Sequence, residues 1–189
     1  MINIFEPKIG NRSLDLLAKT FKSNWLGRGS AVSTFEDILA TFLRTDRDDI
    51  CTVASCSDAI FASLRVLRLQ TKSRKIAIPT NSFPVLLSSC QILGFEPILI
   101  DIDEHTGLID LDSLSTFKDD LAAVFYTNYG NKALHGDVVR SVVSPNTKVY
   151  VDNACALGAF WEDGTFVGSE CDFCCYSFDA MKLVVCGEG

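Results

Sequence analysis

Four short polar segments follow predicted strands, and each carries a residue type that can bind or activate a small molecule. The first, ASCSDAI, turns from strand into helix, where backbone N–H groups and the Ser57 hydroxyl can hold an anion at the positive end of the helix dipole. An ordinary helix cap by Ser57 is the alternative. In the second, NSF after KIAIP, the ring of Phe83 can either stack on a planar ligand or pack in the core.

The other two segments carry charge. Asp152 ends the apolar run Val149–Tyr150–Val151, so its carboxylate needs a cationic or hydrogen-bonding partner unless it caps a helix. Lys182 lies between a predicted buried strand and Leu183–Val184–Val185, a setting that suits Schiff-base chemistry, whereas a surface lysine would extend into solvent. An anion-binding turn, a stacking ring, a buried carboxylate and a lysine, in this chain order, are what a pyridoxal phosphate site requires.

Alternating strands and helices must position these segments. Apolar runs without alternation predict strands buried on both faces, and amphipathic stretches between them predict helices. The predicted fold class is α/β, with a mainly parallel sheet covered by helices on both faces. The predicted strands are Ile50–Ala54, Lys75–Ile78, Pro97–Ile102, Ala122–Thr127, Lys148–Asp152 and Cys171–Ser177, with another beginning near Leu183; the predicted helices are Leu14–Lys22, Thr34–Leu43, Ser57–Leu69 and Ser82–Leu93, the last stopped by Gly94.

Length and composition favour a globular chain with a sizeable core. The chain has 189 residues, of which 48% are hydrophobic and 22% charged, and no repeat or linker divides it. A formal net charge of -7 without a basic stripe argues against nucleic-acid binding. No apolar run approaches the roughly 18 residues of a membrane span, and the first residues lack the pattern of a secretory signal. We therefore expect a soluble, cytoplasmic protein without membrane partners.

The chain contains 8 cysteines, which in the absence of an export signal predict reduced thiols rather than disulfides. Cys171 and Cys174 form one CxxC in the run CDFCCYSF. The apolar content of this run predicts a buried strand, and no second CxxC or histidine pair accompanies it to complete a zinc site. No metal site is predicted from this pattern.

Six segments of the chain resemble the DegT/DnrJ/StrS family of pyridoxal phosphate dependent sugar aminotransferases. They appear in the family's order along the whole chain: SNWLGRGSAVSTFE, ASCSDAIFASLRVL, IPTNSFPVLLSSCQILGFEPILIDID, YGN, VDNACALGAF and YSFDAMKLVVCGEG. The resemblance implies the fold type I architecture, like that of aspartate aminotransferase. It also implies pyridoxal 5'-phosphate as the cofactor.

The resemblance assigns roles to particular residues. Lys182 matches the lysine that bonds to the cofactor and then moves a proton between its carbons, and Asp152 matches the aspartate that keeps the pyridine nitrogen protonated; these two are the predicted catalytic residues. Ser57 and Ser177 match hydroxyls that hold the phosphate. The predicted cofactor-binding residues are Cys56 (through its backbone N–H), Ser57, Phe83 (stacking on the ring), Asp152, Cys155, Ser177 and Lys182.

Several positions depart from the family pattern. Cys155 stands where the family has Gln, and Asn153 replaces a small Ala. Thr127–Asn128 replaces His-Leu before Tyr129, and Asp179–Ala180–Met181 replaces His-Pro-x before the lysine. These departures leave the tuning of the cofactor and the substrate open. Near the N-terminus, Arg28 lies in a substrate-side segment of the family and is either a phosphate contact or a solvent-exposed arginine.

The resemblance implies transfer of an amino group, from glutamate, to a keto group of a nucleotide-linked deoxysugar, by a homodimer that shares its active site. Family members are about twice as long, since they add a smaller C-terminal domain. We expect residues 1–189 to be the N-terminal portion of the large domain and to be poorly active alone. The alternatives are a non-catalytic remnant that binds a sugar nucleotide or partner subunit, and a sugar dehydratase, which Lys182 disfavours because that branch carries histidine there.

Overall fold

The computed structural model describes residues 9–117, 120–129 and 132–187, and the chain divides into two compact units. One unit comprises residues 1–54 and 178–189, and the other comprises residues 55–177. The larger unit contains the β-sheet and most of the predicted site residues. The smaller unit contains Lys182.

The larger unit is built on a sheet of five parallel strands in the spatial order β2-β1-β3-β4-β5. The chain runs from β1 out to β2 and then crosses back to place β3 on the other side of β1. In such sheets ligands bind beyond the carboxyl ends of the strands, near the point where the strand order switches. The strands are β1 Lys75–Pro79, β2 Glu96–Ile100, β3 Leu121–Thr127, β4 Lys148–Asp152 and β5 Phe173–Cys175.

Helices cover both faces of this sheet, as the sequence predicts. Alternate residues of the central strands point to opposite faces: Ile76 and Ile78 pack with helices α3 (Cys56–Gln70) and α4 (Pro84–Ile92), whereas Ala77 packs with α5 (Leu111–Ser115) and α6 (Gly136–Ser141). β3 is buried from Leu121 to Tyr126. A strand buried on both faces has apolar side chains on each face, so its sequence is a continuous apolar run rather than an alternating one.

Most predicted elements are confirmed within a few residues, and the errors are local. The strands at Lys75, Ala122 and Lys148 are present, and α4 ends just before Gly94, whose φ of +73° suits glycine. The strand predicted over Cys171–Ser177 is limited to three residues. The short helices α5 and α6 were not predicted.

The smaller unit contains two helices and the C-terminal segment of the described chain. The helices are α1 Asn11–Lys22 and α2 Ser30–Leu43, followed by a 3-10 helix over Arg47–Asp49. The rings of Phe35 and Phe178 meet edge to face at 5.1 Å. The strand predicted to begin near Leu183 is wrong: residues 183–186 form no strand, and Asp179 and Gly187 make one isolated bridge.

A buried carboxylate organises this unit. Glu36 on α2 has no solvent exposure and accepts hydrogen bonds from the Arg28 guanidinium (2.8 Å), the Thr52 N–H (3.0 Å) and the Thr52 hydroxyl (2.7 Å). Arg47 also pairs with it. The strand predicted over Ile50–Ala54 is wrong because the polar groups of Thr52 bind Glu36 instead of a neighbouring strand. Arg28 keeps 57% of its side chain exposed and forms an ion pair with Glu36; the phosphate contact stays a prediction.

None of the helices in the described ranges is both long and apolar enough to cross a membrane.

Replacing Glu36 with Gln should destabilise the chain by about 3 kcal/mol at pH 7, the low end for breaking a buried ion pair, since both arginines keep access to water. Burial acts to raise the pKa of Glu36, but hydrogen bonds from Thr52 and the Arg28 charge outweigh it, so the pKa lies below its ordinary value. A lowered folded-state pKa contributes stability that is present above the unfolded pKa and is lost as pH falls through the folded value. Urea unfolding followed by circular dichroism should therefore show a difference in unfolding free energy between Glu36→Gln and the unmodified chain. This difference should become smaller as the pH is lowered.

Asp37→Asn on the same helix is the matched control, because Asp37 is 66% exposed and pairs with Arg47 at the surface. Its effect should stay within about 0.5 kcal/mol. Equal unfolding midpoints for Glu36→Gln and the unmodified chain at pH 7 would contradict the role given to Glu36.

Candidate functional site

The carboxyl edge of the sheet in the larger unit carries the predicted site residues of that unit. Asp152 ends β4, and Ser177 follows β5 by two residues. Phe83 lies between β1 and α4, and Cys56 and Ser57 begin α3. Because the carboxyl ends of parallel strands meet at one edge, the fold brings these segments to the same side of the sheet.

The start of α3 is suited to binding an anion. The Ser55 hydroxyl accepts the Asp58 N–H at 3.1 Å and so caps the helix. The alternative reading of Ser57 as the cap is therefore wrong. Ser57 and Cys56 are the first helical residues, where backbone N–H groups have no acceptor within the helix. Their N–H groups, the Ser57 hydroxyl and the helix dipole favour a phosphate at this position.

Asp152 is 4% exposed and one of its carboxylate oxygens accepts the Ala154 N–H at 2.9 Å. The sulfur of the Cys175 thiol lies 3.9 Å from the same oxygen. The alternative that Asp152 caps a helix is wrong, because a turn follows it. A buried carboxylate at the ligand-binding edge is placed to pair with a cationic group of a ligand.

The other three predicted cofactor-binding residues of the larger unit differ in solvent exposure. Phe83 is 66% exposed at the start of α4, so the alternative that it packs in the core is wrong and its ring is accessible for stacking. Ser177 is buried, with 5% of its surface exposed. Cys155 is exposed in the turn that follows Asp152.

Two buried hydroxyl oxygens at this edge have no hydrogen-bond partner among the described residues: Ser82 Oγ and Thr127 Oγ1. Ser82 directly precedes Phe83, and Thr127 ends β3 in register with Asp152. Buried polar atoms in folded proteins nearly always have a partner. The two oxygens therefore indicate that a polar ligand completes the site, and together with the anion-binding turn, the accessible ring and the buried carboxylate they fit an aromatic phosphate such as pyridoxal phosphate.

Neither Ser82 nor Thr127 is predicted from the sequence to bind a ligand. Both follow predicted strands directly, which is a signal of position, but many polar residues share it. Their distinguishing property is the absence of a partner, and this becomes visible only once the neighbours of each oxygen are known.

A pair of buried amides supports the backbone around Asp152. Asn128 Nδ2 donates to Asn153 Oδ1 at 2.8 Å, and Asn153 Nδ2 donates to the Val167 carbonyl at 2.6 Å. Asn128 Oδ1 accepts the Leu134 N–H at 2.9 Å. Gly168, with φ +104°, lies so close that a Cβ there would be 2.7 Å from Asn153 Nδ2. The two departures from the family pattern at these positions are therefore one hydrogen-bonded feature.

The backbone of the same two residues ties the strand ends together. The Asn128 N–H donates to the Asp152 carbonyl at 3.1 Å, and the Asn153 N–H donates to the Cys175 carbonyl at 2.9 Å. These bonds extend the ladders β3–β4 and β4–β5 by one step beyond the strands. The backbone around Asp152 is thus held by pairing with both neighbouring strands.

Lys182 belongs to the smaller unit and is half-buried there. Its N–H donates to the Asp179 carbonyl at 3.0 Å, and the Met181 N–H donates to the Asp179 carboxylate at 2.9 Å. Asp179, a departure from the family pattern, therefore shapes the turn that presents the lysine.

The cysteines of the CxxC pattern, Cys171 and Cys174, are partly buried free thiols in the larger unit. The Cys171 sulfur lies 3.3 Å from the Tyr126 hydroxyl, and the Cys174 sulfur accepts from Asn153 Nδ2 at 3.2 Å. Burial raises the pKa of Cys171 to about 12 and raises that of Cys174 further. Both groups therefore remain protonated at neutral pH.

Comparison with known proteins identifies the family of the chain. The family model described as the DegT/DnrJ/EryC1/StrS aminotransferase family matches residues 7–189. A dTDP-4-dehydro-2,3,6-trideoxy-D-glucose 4-aminotransferase from Saccharopolyspora spinosa is 30% identical over 191 residues, covering 100% of this chain and 49% of that protein. The chain thus spans about half the length of the curated relatives it matches.

Solved structures give the same fold. The aminotransferase TlmJ from Streptoalloteichus hindustanus has a TM-score of 0.87 at 28% identity, covering 100% of this chain and 52% of that one. The PLP form of the putative sugar aminotransferase Spr1654 from Streptococcus pneumoniae has a TM-score of 0.86 at 22% identity, covering 97% and 50%, and its PMP form matches equally well. The α/β prediction is confirmed, and the predicted cofactor is confirmed as the one held by similar structures.

The amide pair predicts a strong coupling between two substitutions. Asn153→Ala and Asn128→Leu should each destabilise the chain by about 1–3 kcal/mol, because each leaves the other buried amide without its partner. The double variant should cost less than the sum of the two by about 1 kcal/mol or more, since it removes both amides. Urea unfolding of the four chains measures this coupling.

Asn81→Ala is the control for this cycle, because Asn81 donates to the Gly107 carbonyl and shares no partner with Asn153. Combined with Asn153→Ala, its effect should be additive. Additivity of the Asn128 and Asn153 substitutions as well would show that the amide pair does not act as a unit.

Proposed function

Because the chain belongs to the DegT/DnrJ/EryC1/StrS aminotransferase family, we propose that it provides the cofactor-binding half of a pyridoxal phosphate dependent sugar aminotransferase. The observation that carries this proposal is the buried Asp152 carboxylate, in register with the unpartnered hydroxyl of Thr127 at the ligand-binding edge of the sheet. A buried hydroxyl without a partner, such as that of Thr127, costs folding free energy unless a polar ligand binds it.

The residues of the larger unit bind and orient the cofactor. The first turn of α3 holds the phosphate through the N–H groups of Cys56 and Ser57, with the Ser57 and Ser177 hydroxyls. Phe83 covers one face of the pyridine ring. Asp152 accepts a hydrogen bond from the protonated pyridine nitrogen and holds the proton there.

The bound cofactor supplies an electron sink for negative charge that develops at the carbon carrying the amino group. Lys182 has two tasks in the proposal: its amine attaches the cofactor covalently, and once released it moves the proton to and from that carbon. General acid–base catalysis by a positioned amine contributes about 10²–10⁴-fold in rate. Cys155, which replaces Gln in the family pattern, offers a weaker donor for the cofactor's ring hydroxyl.

The proposed reaction transfers an amino group, from glutamate, to a keto group of a nucleotide-linked deoxysugar. The name of the S. spinosa relative supports a keto-deoxysugar linked to a nucleotide. A dehydratase is disfavoured by Lys182. We also propose that the whole protein acts as a cytoplasmic homodimer with a shared site.

Lys182 is tested by trapping the cofactor. Pyridoxal phosphate added to the purified chain should produce a visible absorption band that borohydride removes, and mass spectrometry should then find the adduct on the peptide containing Lys182. Lys182→Ala should lose both signals, whereas Lys72→Ala, which removes an exposed lysine, should keep them. An adduct on other lysines only, in this chain and in one extended to the length of the relatives, would overturn the assignment and favour a non-catalytic remnant.

Thr127→Val gives a second test, because it should raise the stability of the cofactor-free chain and weaken the binding of the cofactor. Removing a buried unpartnered hydroxyl should stabilise the cofactor-free chain by about 1 kcal/mol. The same change should weaken cofactor binding by about 5–10-fold, the value of one hydrogen bond, and Thr127→Ser should restore binding. Urea unfolding without cofactor and fluorescence titration with pyridoxal phosphate measure the two effects; unchanged affinity in Thr127→Val would show that the hydroxyl does not meet the cofactor.

A further inference from the structure

Three potential metal ligands meet beneath the ligand-binding edge of the larger unit. The Cys56 sulfur, the Cys175 sulfur and a carboxylate oxygen of Asp152 all lie within 4.8 Å of one another. They come from three elements: Cys56 begins α3, Asp152 ends β4 and Cys175 ends β5. Asp152 and Cys175 are 4% and 3% exposed. Neither thiol was assigned to metal binding by the sequence, whose only metal-like pattern involved Cys171 and Cys174.

The donor set and its spacing suit a thiophilic divalent cation. Two thiolates and one carboxylate are ligands that Zn²⁺ accepts, with the fourth tetrahedral position left to water. Bond lengths of about 2.3 Å to sulfur and about 2.1 Å to oxygen place neighbouring donors roughly 3.5–3.8 Å apart. The three donors therefore need to approach one another by about 1.3 Å at most, which small side-chain rotations can supply.

We propose that Cys56, Asp152 and Cys175 bind Zn²⁺ in the cofactor-free chain, and that the metal and the cofactor exclude each other because both require the Asp152 carboxylate. The metal site stands on the geometry of the three donors alone. The exclusion rests on the proposed function.

Metal binding at this site releases protons. A hydrogen bond with the Cys56 thiol, burial and the Asp152 charge raise the pKa of the Cys175 thiol well above its ordinary value. Zn²⁺ must therefore displace the thiol protons: two S–H bonds break, two Zn–S bonds form and two protons pass to solvent. The affinity for Zn²⁺ therefore rises with pH, by up to about 100-fold per pH unit when two protons are released. The ionisable groups around Cys175 are Cys56 from α3, Asp152 from β4 and Cys174 from its own strand.

The electrostatics of the bound state are also favourable. Two thiolates, one carboxylate and Zn²⁺ leave one net negative charge. Cys56 is the first residue of α3, so this charge lies at the positive end of a 15-residue helix. The N–H groups that would hold a phosphate in the cofactor-bound chain thus stabilise the anionic metal cluster in the cofactor-free chain.

The test uses the reduced 189-residue chain without cofactor and Co²⁺ as a spectroscopic probe, followed by displacement with Zn²⁺. We expect one Co²⁺ per chain, with the intense absorption of thiolate coordination, and Zn²⁺ affinity that rises between pH 6.5 and 7.5. Cys56→Ser, Cys175→Ala and Asp152→Asn should each weaken Zn²⁺ binding at least 10-fold. Circular dichroism of Cys56→Ser, the mildest change, confirms that the fold persists.

Cys174→Ala is the matched control, because Cys174 precedes Cys175 on β5 and its sulfur contacts Asn153 instead of the cluster. Equal losses in Cys174→Ala and Cys175→Ala, or full Zn²⁺ affinity in folded Cys56→Ser, would overturn the site.

The exclusion is measured by titrating Zn²⁺ into the chain saturated with pyridoxal phosphate, where the affinity should fall at least 10-fold. Undiminished Zn²⁺ binding to a chain that carries the cofactor adduct would overturn the exclusion but not the metal site. Absence of any adduct on Lys182 would count against the proposed function, and the cofactor-free metal titration would still decide the site.

Discussion

A carboxylate buried at the carboxyl end of a parallel sheet constrains everything around Asp152. Desolvation makes such a charge costly, and the fold offsets part of that cost with a backbone N–H from Ala154. The backbone cannot move away, because the carbonyl of Asp152 accepts the Asn128 N–H and the next N–H donates to the Cys175 carbonyl. The carboxylate therefore keeps a fixed place at the open edge of the sheet, which is where ligands bind in folds of this kind.

The amides of Asn128 and Asn153 show how a site can depart from its family and keep its geometry. Each departure alone would place an amide in an apolar environment without a partner, which is unfavourable. Together they satisfy one another, and Gly168 leaves the space that the Asn153 amide occupies. Two departures that look unrelated in the sequence can therefore form one hydrogen-bonded pair. The backbone around Asp152 is supported by that pair.

The sequence predicts what depends on local pattern and misses what depends on distant partners. Continuous apolar runs identify β1, β3 and β4, because a strand buried on both faces carries apolar residues at nearly every position. The run at Ile50–Ala54 has the same composition but binds Glu36, 16 residues away in sequence from Thr52. The helix cap shifted from Ser57 to Ser55 because both serines suit the motif, and only the N–H they reach distinguishes them.

The residues of the candidate site also fall into those that local sequence predicts and those that depend on distant partners. Asp152, Ser57 and Phe83 could be proposed from residue type and position after a strand. The unpartnered hydroxyls and the cluster of Cys56, Asp152 and Cys175 could not, since each is defined by atoms from separate elements. Sequence spacing drew attention to Cys171 and Cys174, yet strand alternation puts Cys174 and Cys175 on opposite faces of β5, so the neighbour outside the motif is the one that meets the carboxylate.

A site that leaves polar atoms without partners gives up some folding stability in exchange for binding free energy, because a ligand that satisfies those atoms recovers the cost. The same reasoning explains why one edge can attract two kinds of ligand. In the proposal made above, the carboxylate and the two thiols bind a thiophilic cation when the cofactor is absent, and two thiol protons are exchanged for two metal–sulfur bonds. In the same proposal, a bound cofactor pairs its pyridine nitrogen with the carboxylate, which then no longer serves as a metal ligand. Two ligands that exclude each other in this way would occupy the edge according to their concentrations and affinities.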